Sequence, residues 1–359
     1  HHFVKILLYA CLNLHFPTRS TSKGISLKND CLLSQDEVVT AIHQFEKVLI
    51  LYNPISSAGN TAELASDFEE FLTKQRFAVS VYESARKMKS YQLILAEITA
   101  SDLIVVIGGD GTVRKLLPLL SQTQTPVYVI PGGNESLIAR SYGMTTQCTD
   151  LLQAMTKGKY LEQYYGLISG EGIQGKKPFF IMASMGFDSL TIKRIGKRKG
   201  PINDAAYVWC GLNALVSLHH PVVSVLVDGK HVIDQQLGYL IVANSAAYAR
   251  NLQLVPEANP SNMELVLGFL PRAKHQHEWI KLSRMLQHKP ASLPMQYFSG
   301  KQIALTLHHP SYPLQVDGDY FRNRDVQVGA TIVFSIHPEP IRVLVPPTYC
   351  CQSSAIKSA

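Results

Sequence analysis

Three short apolar runs constrain this chain most: "VLILY" at 48–52, "LIVVI" at 103–107 and "VYVI" at 127–130. Each is followed by a loop and a stretch with helical spacing. Continuous apolar strands alternating with helices predict parallel βαβ units covered on both faces. The spacing predicts helices at 34–47, 61–76, 87–100, 112–121 and 149–158, with strands at 48–54, 77–84, 102–107 and 126–131 between them. Ser34 and Glu37 form a capping box for the first of these helices. Residues 47–160 are therefore expected to form a doubly wound α/β domain, with its ligand at the C-terminal ends of the strands.

From about Tyr160 the pattern changes to strand-like segments punctuated by Gly, Asp-Gly and Pro, with helical stretches at 204–220 and 277–287. This predicts a β-sandwich domain with inserted helices over 161–345. Residues 1–46 are read as a leader and N-terminal helix, and 346–359 as a tail. A length of 359 residues agrees with two domains. Hydrophobic residues at 46% against 17% charged exclude a disordered chain. The six cysteines show no CxxC pair, so neither a disulfide framework nor a zinc site is expected, and a reduced cytoplasmic setting is. The apolar start "FVKILLYACL" is interrupted by Asn13 and His15, so a leader rather than a cleaved signal is expected. A formal charge of +7 suits an anionic partner.

The second apolar run ends in Gly108-Gly109-Asp110-Gly111-Thr112, and a helical stretch starts at once. Glycines permit close backbone approach, and a helix N-terminus offers N–H groups and partial positive charge, so the segment reads as a phosphate cradle. Asp110 fits an anion site if it faces a metal, a ribose hydroxyl or a nucleophile, which suggests a nucleotide with Mg2+ between. GxxxxGK[ST] does not occur, which excludes a P-loop NTPase, and the segment 108–114 does not read GxGxxG, so it is not a dinucleotide fingerprint.

The segment Gly108–Thr112 resembles the GGDGT motif of the diacylglycerol kinase catalytic-domain superfamily, which includes bacterial diacylglycerol kinases and sphingosine kinases; NAD kinases and phosphofructokinases share a related motif. "LYNPISSAGN" resembles that family's NPxSG loop, and "VYVIPGGNESLIARSYGM" stands in place of its PxGTxNDFAR loop. "SMGFDS", "LQLVPEANPSNMELVLGF" and "LQVDGDYF" resemble later segments in the family's order, so that the resemblance spans about 47–340. It implies transfer of the ATP γ-phosphoryl group to a lipid hydroxyl, with ATP and Mg2+ in a cleft between the two domains. Carried over residue by residue, it implies nucleotide contacts from Asn53, Ser57, Gly108, Gly109, Asp110, Gly111, Thr112, Gly133 and Asn134. It implies Asp317 as the carboxylate that takes the hydroxyl proton, Asp110 as a second catalytic group contacting metal through the phosphates, and Asp188 and Arg140 on the substrate side. Two departures stand out. The Thr-x-Asn-Asp positions read Asn134, Glu135, Ser136 and Leu137, and an Asp-Asp-Gly segment reads Ser261, Asn262 and Met263, which implies loss of a structural Mg2+ site.

The residues leave alternatives open. Asp-Gly at 317–318 is also a hairpin signal, and the same dipeptide at 228–229 is read as a plain turn. Asp188 either faces an acceptor or caps a helix. Lys193, Arg194, Lys197, Arg198 and Lys199 form either a solvated face or a surface for anionic lipid headgroups, which would place the protein peripherally on a membrane. No nucleic-acid-binding pattern accompanies them. Three functions follow: a lipid kinase, an NAD kinase, or a non-catalytic nucleotide- or lipid-binding relative.

Overall fold

The computed structural model describes residues 45–56, 60–84, 91–133, 135–197, 219–247, 254–272 and 295–349. The helices expected at 34–47, 204–220 and 277–287 fall almost entirely outside the described residues. So do Ser57 and Asn134, and Arg198 and Lys199 of the basic run.

The first region runs β1 (Lys47–Tyr52), α1 (Thr61–Lys74), β2 (Ala78–Glu83), α2 (Tyr91–Thr99), β3 (Leu103–Gly108), α3 (Asp110–Thr123), β4 (Val127–Pro131), α4 (Leu137–Ser141) and α5 (Cys148–Lys157). Strands β2, β1, β3 and β4 are parallel neighbours in that order. Every residue of β3 is buried, as a strand covered on both faces must be. Phe68 and Leu72 of α1 and Leu116, Leu117 and Leu120 of α3 pack on it. Because these strands are parallel, Asn53, Gly108 and Gly132 all emerge at one edge of the sheet.

The second region contains β5 (Lys159–Gln163), β6 (Gly166–Gly170), β7 (Lys177–Phe179), β8 (Met182–Met185), α6 (Phe187–Lys197), β9 (Val222–Val227), β10 (Lys230–Ala243), β11 (Leu265–Pro271), β12 (Gln296–Gly300), β13 (Gln302–His309), β14 (Gln315–Val316), β15 (Asp319–Tyr320), β16 (Thr331–Ile336) and β17 (Ile341–Val345). Apart from the pairing of β17 with β4, these strands pair antiparallel. Strand β10 pairs with β9 from Lys230 to Leu237, with register shifts between His231 and Ile233 and between Ile233 and Gln236, and with β11 and β8 beyond that, from Gly238 to Ala243. Side chains from both halves, among them Val225, Leu240, Leu267, Leu305, Leu314 and Phe334, share one core. This is the sandwich expected from the alternation.

The sheets do not divide at 160/161. Strand β17 lies between β4 and β5, parallel to the first and antiparallel to the second, so both β5 and β17 complete the first sheet. Ile341, Val343, Leu344 and Val345 are buried there, which is why the chain returns. The run "YLEQYYGLI" at 160–168 is split between two sheets at Tyr164–Tyr165. No helix among the described residues is long and apolar enough to cross a membrane.

Candidate active site

Two glycine pairs meet at the sheet edge. The N–H of Gly132 donates to the carbonyl of Gly108 at 3.1 Å. A Cβ on Gly133 would lie 2.8 Å from the Gly109 Cα, and one on Gly132 would lie 3.1 Å from the Gly108 Cα, so the loops after β3 and β4 touch backbone to backbone. Asn53 ties the third loop to them. Its Nδ2 donates to Thr112 Oγ1 at 3.1 Å, its Oδ1 accepts from the Ile55 N–H at 3.2 Å, and its carbonyl accepts from Thr61 Oγ1 at 2.7 Å. Ser56 Oγ donates to the Gly132 carbonyl. The structure thus brings Asn53, Gly108, Gly109, Gly111, Thr112 and Gly133 together.

Gly109, extended at φ −89°, precedes α3, and Asp110 is the helix's first residue. The Asp110 carboxylate turns toward the neighbouring loop. Oδ2 accepts from the Leu137 N–H and Oδ1 from the Ile138 N–H, each at 2.9 Å. It therefore caps α4. Burial pushes its carboxyl up to about 6 against the pull of these two donors, and the Asp317 and Glu135 carboxylates push the same way as burial. Ser136, at φ 44°, braces the same loop: its Oγ accepts from the Gly133 N–H at 2.9 Å and donates to the Gly133 carbonyl at 3.1 Å. Arg140 pairs with Glu135 at 3.5 Å within this loop.

On the β side, Asp317 and Gly318 have φ of 47° and 81°, the paired left-handed conformation of a tight hairpin turn. Asp317 Oδ2 accepts from the Phe180 N–H at 2.9 Å, and Oδ1 from the Ile181 and Met182 N–H groups at 2.8 and 3.0 Å. Burial pushes this carboxyl above the ordinary range, while Arg114 and the three main-chain donors pull it down. Asp228 adopts the same turn, with Gly229 at φ 80°, and also accepts main-chain bonds, from the Lys301 and Gln302 N–H groups at 3.1 and 2.9 Å. What separates the two turns is burial: Asp228 is exposed, whereas Asp317 is buried and lies close enough to Asp110 to raise its pKa.

Asp188 is enclosed. Its carboxylate accepts from Ser184 Oγ at 2.5 Å, the Ser189 N–H at 2.7 Å and the Tyr239 hydroxyl at 3.1 Å, and burial pushes its pKa up. Gln315 joins it to the acidic turn: Nε2 donates to Ser184 Oγ at 3.0 Å, and Oε1 accepts from the Gly318 N–H at 2.9 Å. Asp188 therefore acts behind the turn and presents no free oxygen to an acceptor. Lys193 is held by Asp325 and lies 5.9 Å from the centre of the Tyr320 ring, and Arg194 is half-buried, so this half of the basic run is not a free cationic face.

Sequence reasoning missed Arg114. Its Nη1 donates to the Val316 carbonyl at 2.7 Å, and its Nη2 to Asp319 Oδ2 at 2.5 Å. The available signal was its spacing, one helical turn beyond Asp110. Gln315 was missed because its partner Ser184 lies 131 positions away; Ser136, whose partner Gly133 is only three residues off, was met only as a departure from the family's motif.

The donor set does not fit a protein-held Mg2+. Among the described residues no three His, Cys, Asp or Glu gather to hold a metal, and Asp110 and Asp317 turn their carboxylates toward main-chain N–H groups rather than toward each other. At the altered Asp-Asp-Gly positions, Ser261 Oγ accepts from Gln163 Nε2 at 2.8 Å, and Gln163 Oε1 accepts from the Tyr142 hydroxyl at 2.6 Å.

Residues 47–166 match the model of the diacylglycerol kinase catalytic domain. A diacylglycerol kinase of Mycobacterium tuberculosis is 27% identical over 223 residues, covering 61% of this chain and 72% of that protein. An NAD kinase of Paraburkholderia phytofirmans is 25% identical over 253 residues, covering 68% and 71%. A solved diacylglycerol kinase structure from Bacillus anthracis shares the fold at a TM-score of 0.57 and 15% identity, covering 85% of this chain and 99% of that one. The glycine loops that meet at the C-terminal edge of the parallel sheet lie within the residues that match the diacylglycerol kinase catalytic domain, and the chain is similar in sequence to a diacylglycerol kinase and shares the fold of another.

Proposed function

We propose that this protein is an ATP-dependent lipid kinase that transfers the terminal phosphoryl group to a lipid hydroxyl. The observation that carries the reading is the apposition of the α3 N-terminus, from the first region, with the 317–319 turn, from the second, through Arg114. The first N–H groups of α3 lack intrahelical acceptors, and the glycines let phosphate oxygens approach them. Asp317 Oδ2 accepts one hydrogen bond and keeps a lone pair, and burial makes it a stronger base. In the transfer, the acceptor oxygen forms a bond to the γ-phosphorus and the bond from that phosphorus to the bridging oxygen breaks. ADP departs, and the hydroxyl proton passes to Asp317. Met182, whose N–H donates to Asp317, also lines a small apolar depression with Ile241, Ala243, Ala247, Leu254 and Val255, so the surface beside the turn is apolar. The name of the Mycobacterium tuberculosis relative supports a diacylglycerol-like acceptor. The charge of +7 supports work at an anionic bilayer surface.

A second reading, phosphorylation of NAD, is favoured by the NAD kinase relative. One experiment separates them: labelled ATP with diacylglycerol, sphingosine and phosphatidylglycerol in mixed micelles, and with NAD in buffer. Label on a lipid is expected. Label on NAD alone replaces the reading with the second, and ATP binding without any labelled product leaves a non-catalytic relative.

A further inference from the structure

We propose that Arg114 is a positioning residue that couples the phosphate loop to the acidic turn, setting the donor and acceptor sides of the cleft in register. The inference rests on the kinase reading above. Arg114 is carried by the helix that the glycine loop opens, and its fork reaches two acceptors, the Val316 carbonyl and Asp319 Oδ2, which bracket Asp317 and Gly318. A planar guanidinium can hold both at once, which an ammonium cannot do with the same rigidity. The pair lies directly on the glycine turn. A Cβ on Gly111 would stand 3.4 Å from Asp319 Oδ2 and 4.0 Å from Arg114 Nη2.

Three other ion pairs each stay within one region. Lys74 pairs with Glu70 within α1, Arg140 with Glu135 within one loop, and Lys193 with Asp325 within the second region. Arg114–Asp319 joins residues 205 apart across the cleft. The Arg114 side chain is 18% exposed and that of Asp319 61%. A pair so open to water contributes little to stability, yet a shift of about 1 Å between reacting groups can cost about a hundredfold in rate. The consequence of the contact therefore belongs to alignment rather than to holding the fold.

The test uses the full chain with Arg114→Gln, Arg114→Lys, Asp319→Ala and the Gln/Ala double variant. Without ligand, amide exchange over 315–320 should quicken in both single substitutions and no further in the double, because the two residues act as one contact. With ATP and an acceptor lipid, kcat should fall by about a hundredfold in Arg114→Gln, while KM for ATP stays unchanged. Arg114→Lys, which keeps charge but not the fork, should fall between. Unchanged exchange over 315–320 in Arg114→Gln overturns the proposal, as does additive loss in the double, or a raised KM with kcat retained. If the unmodified protein phosphorylates no acceptor but the exchange pattern holds, the kinase reading fails and the coupling stands. Should it phosphorylate a lipid with Arg114→Gln unaffected, the reverse is true.

Discussion

At the scale of single residues, Asp110 is the informative case, because its carboxylate gains two main-chain donors and loses its water. The balance leaves its pKa raised from 3.8 to about 6. A carboxyl that holds its proton more tightly when folded contributes stability that is fully present below its unfolded pKa and lost as pH rises through about 6. The shift corresponds to about 3 kcal/mol. The urea midpoint of the unmodified protein, measured relative to Asp110→Asn, should therefore decline between pH 4 and 6; parallel curves would remove the raised pKa from the account. Asp317→Asn tests a different property. The amide keeps the turn but cannot take a proton, so calorimetric ATP binding should survive while lipid phosphorylation falls at least tenfold, a bound set below general-base effects of about 10²–10⁴. Normal turnover would take Asp317 out of the mechanism. Both aspartates were legible as site residues in the sequence. Their main-chain partners were not, since the Phe180, Ile181 and Met182 N–H groups are more than 130 positions from Asp317.

At the scale of elements, the glycine loops show how close approach shapes a site. Gly133→Ala would put a Cβ 2.8 Å from the Gly109 Cα, and backbone on both sides cannot yield cheaply. A loss of about 1–3 kcal/mol is expected, together with weaker ATP binding, both read by thermal shift with and without nucleotide. Gly196→Ala in α6 should move the other way. Its Cβ meets nothing within 4 Å, and replacing a helical glycine should stabilise by about 0.5–1 kcal/mol. Equal shifts in the two variants would show that the loop contact is unimportant. The short helix α4 escaped the sequence reading for a related reason. It has five residues, and its first N–H groups are satisfied by Asp110, 27 and 28 positions away, so neither length nor a local cap announced it.

At the scale of the whole molecule, β17 closes the first sheet from the far end of the chain. A chain ended after Pro340 would leave β4 and β5 without their shared neighbour, and Val343 and Val345 would no longer cover the core. Such a chain should lose its cooperative thermal transition by circular dichroism; an unchanged melting temperature would show that β17 is dispensable. Local pattern carried the rest of the architecture. Period, apolar run length and glycine placement determined the parallel βαβ order, the loop at the strand ends and the Asp-Gly turns, because each depends on residues only a few positions apart. The return of 341–345 to the first sheet, the split at Tyr164–Tyr165 and the meeting of Arg114 with Asp319 were decided only by the tertiary structure. In each, which groups become neighbours depends on how two separately formed layers bury their faces, and no local periodicity encodes that choice.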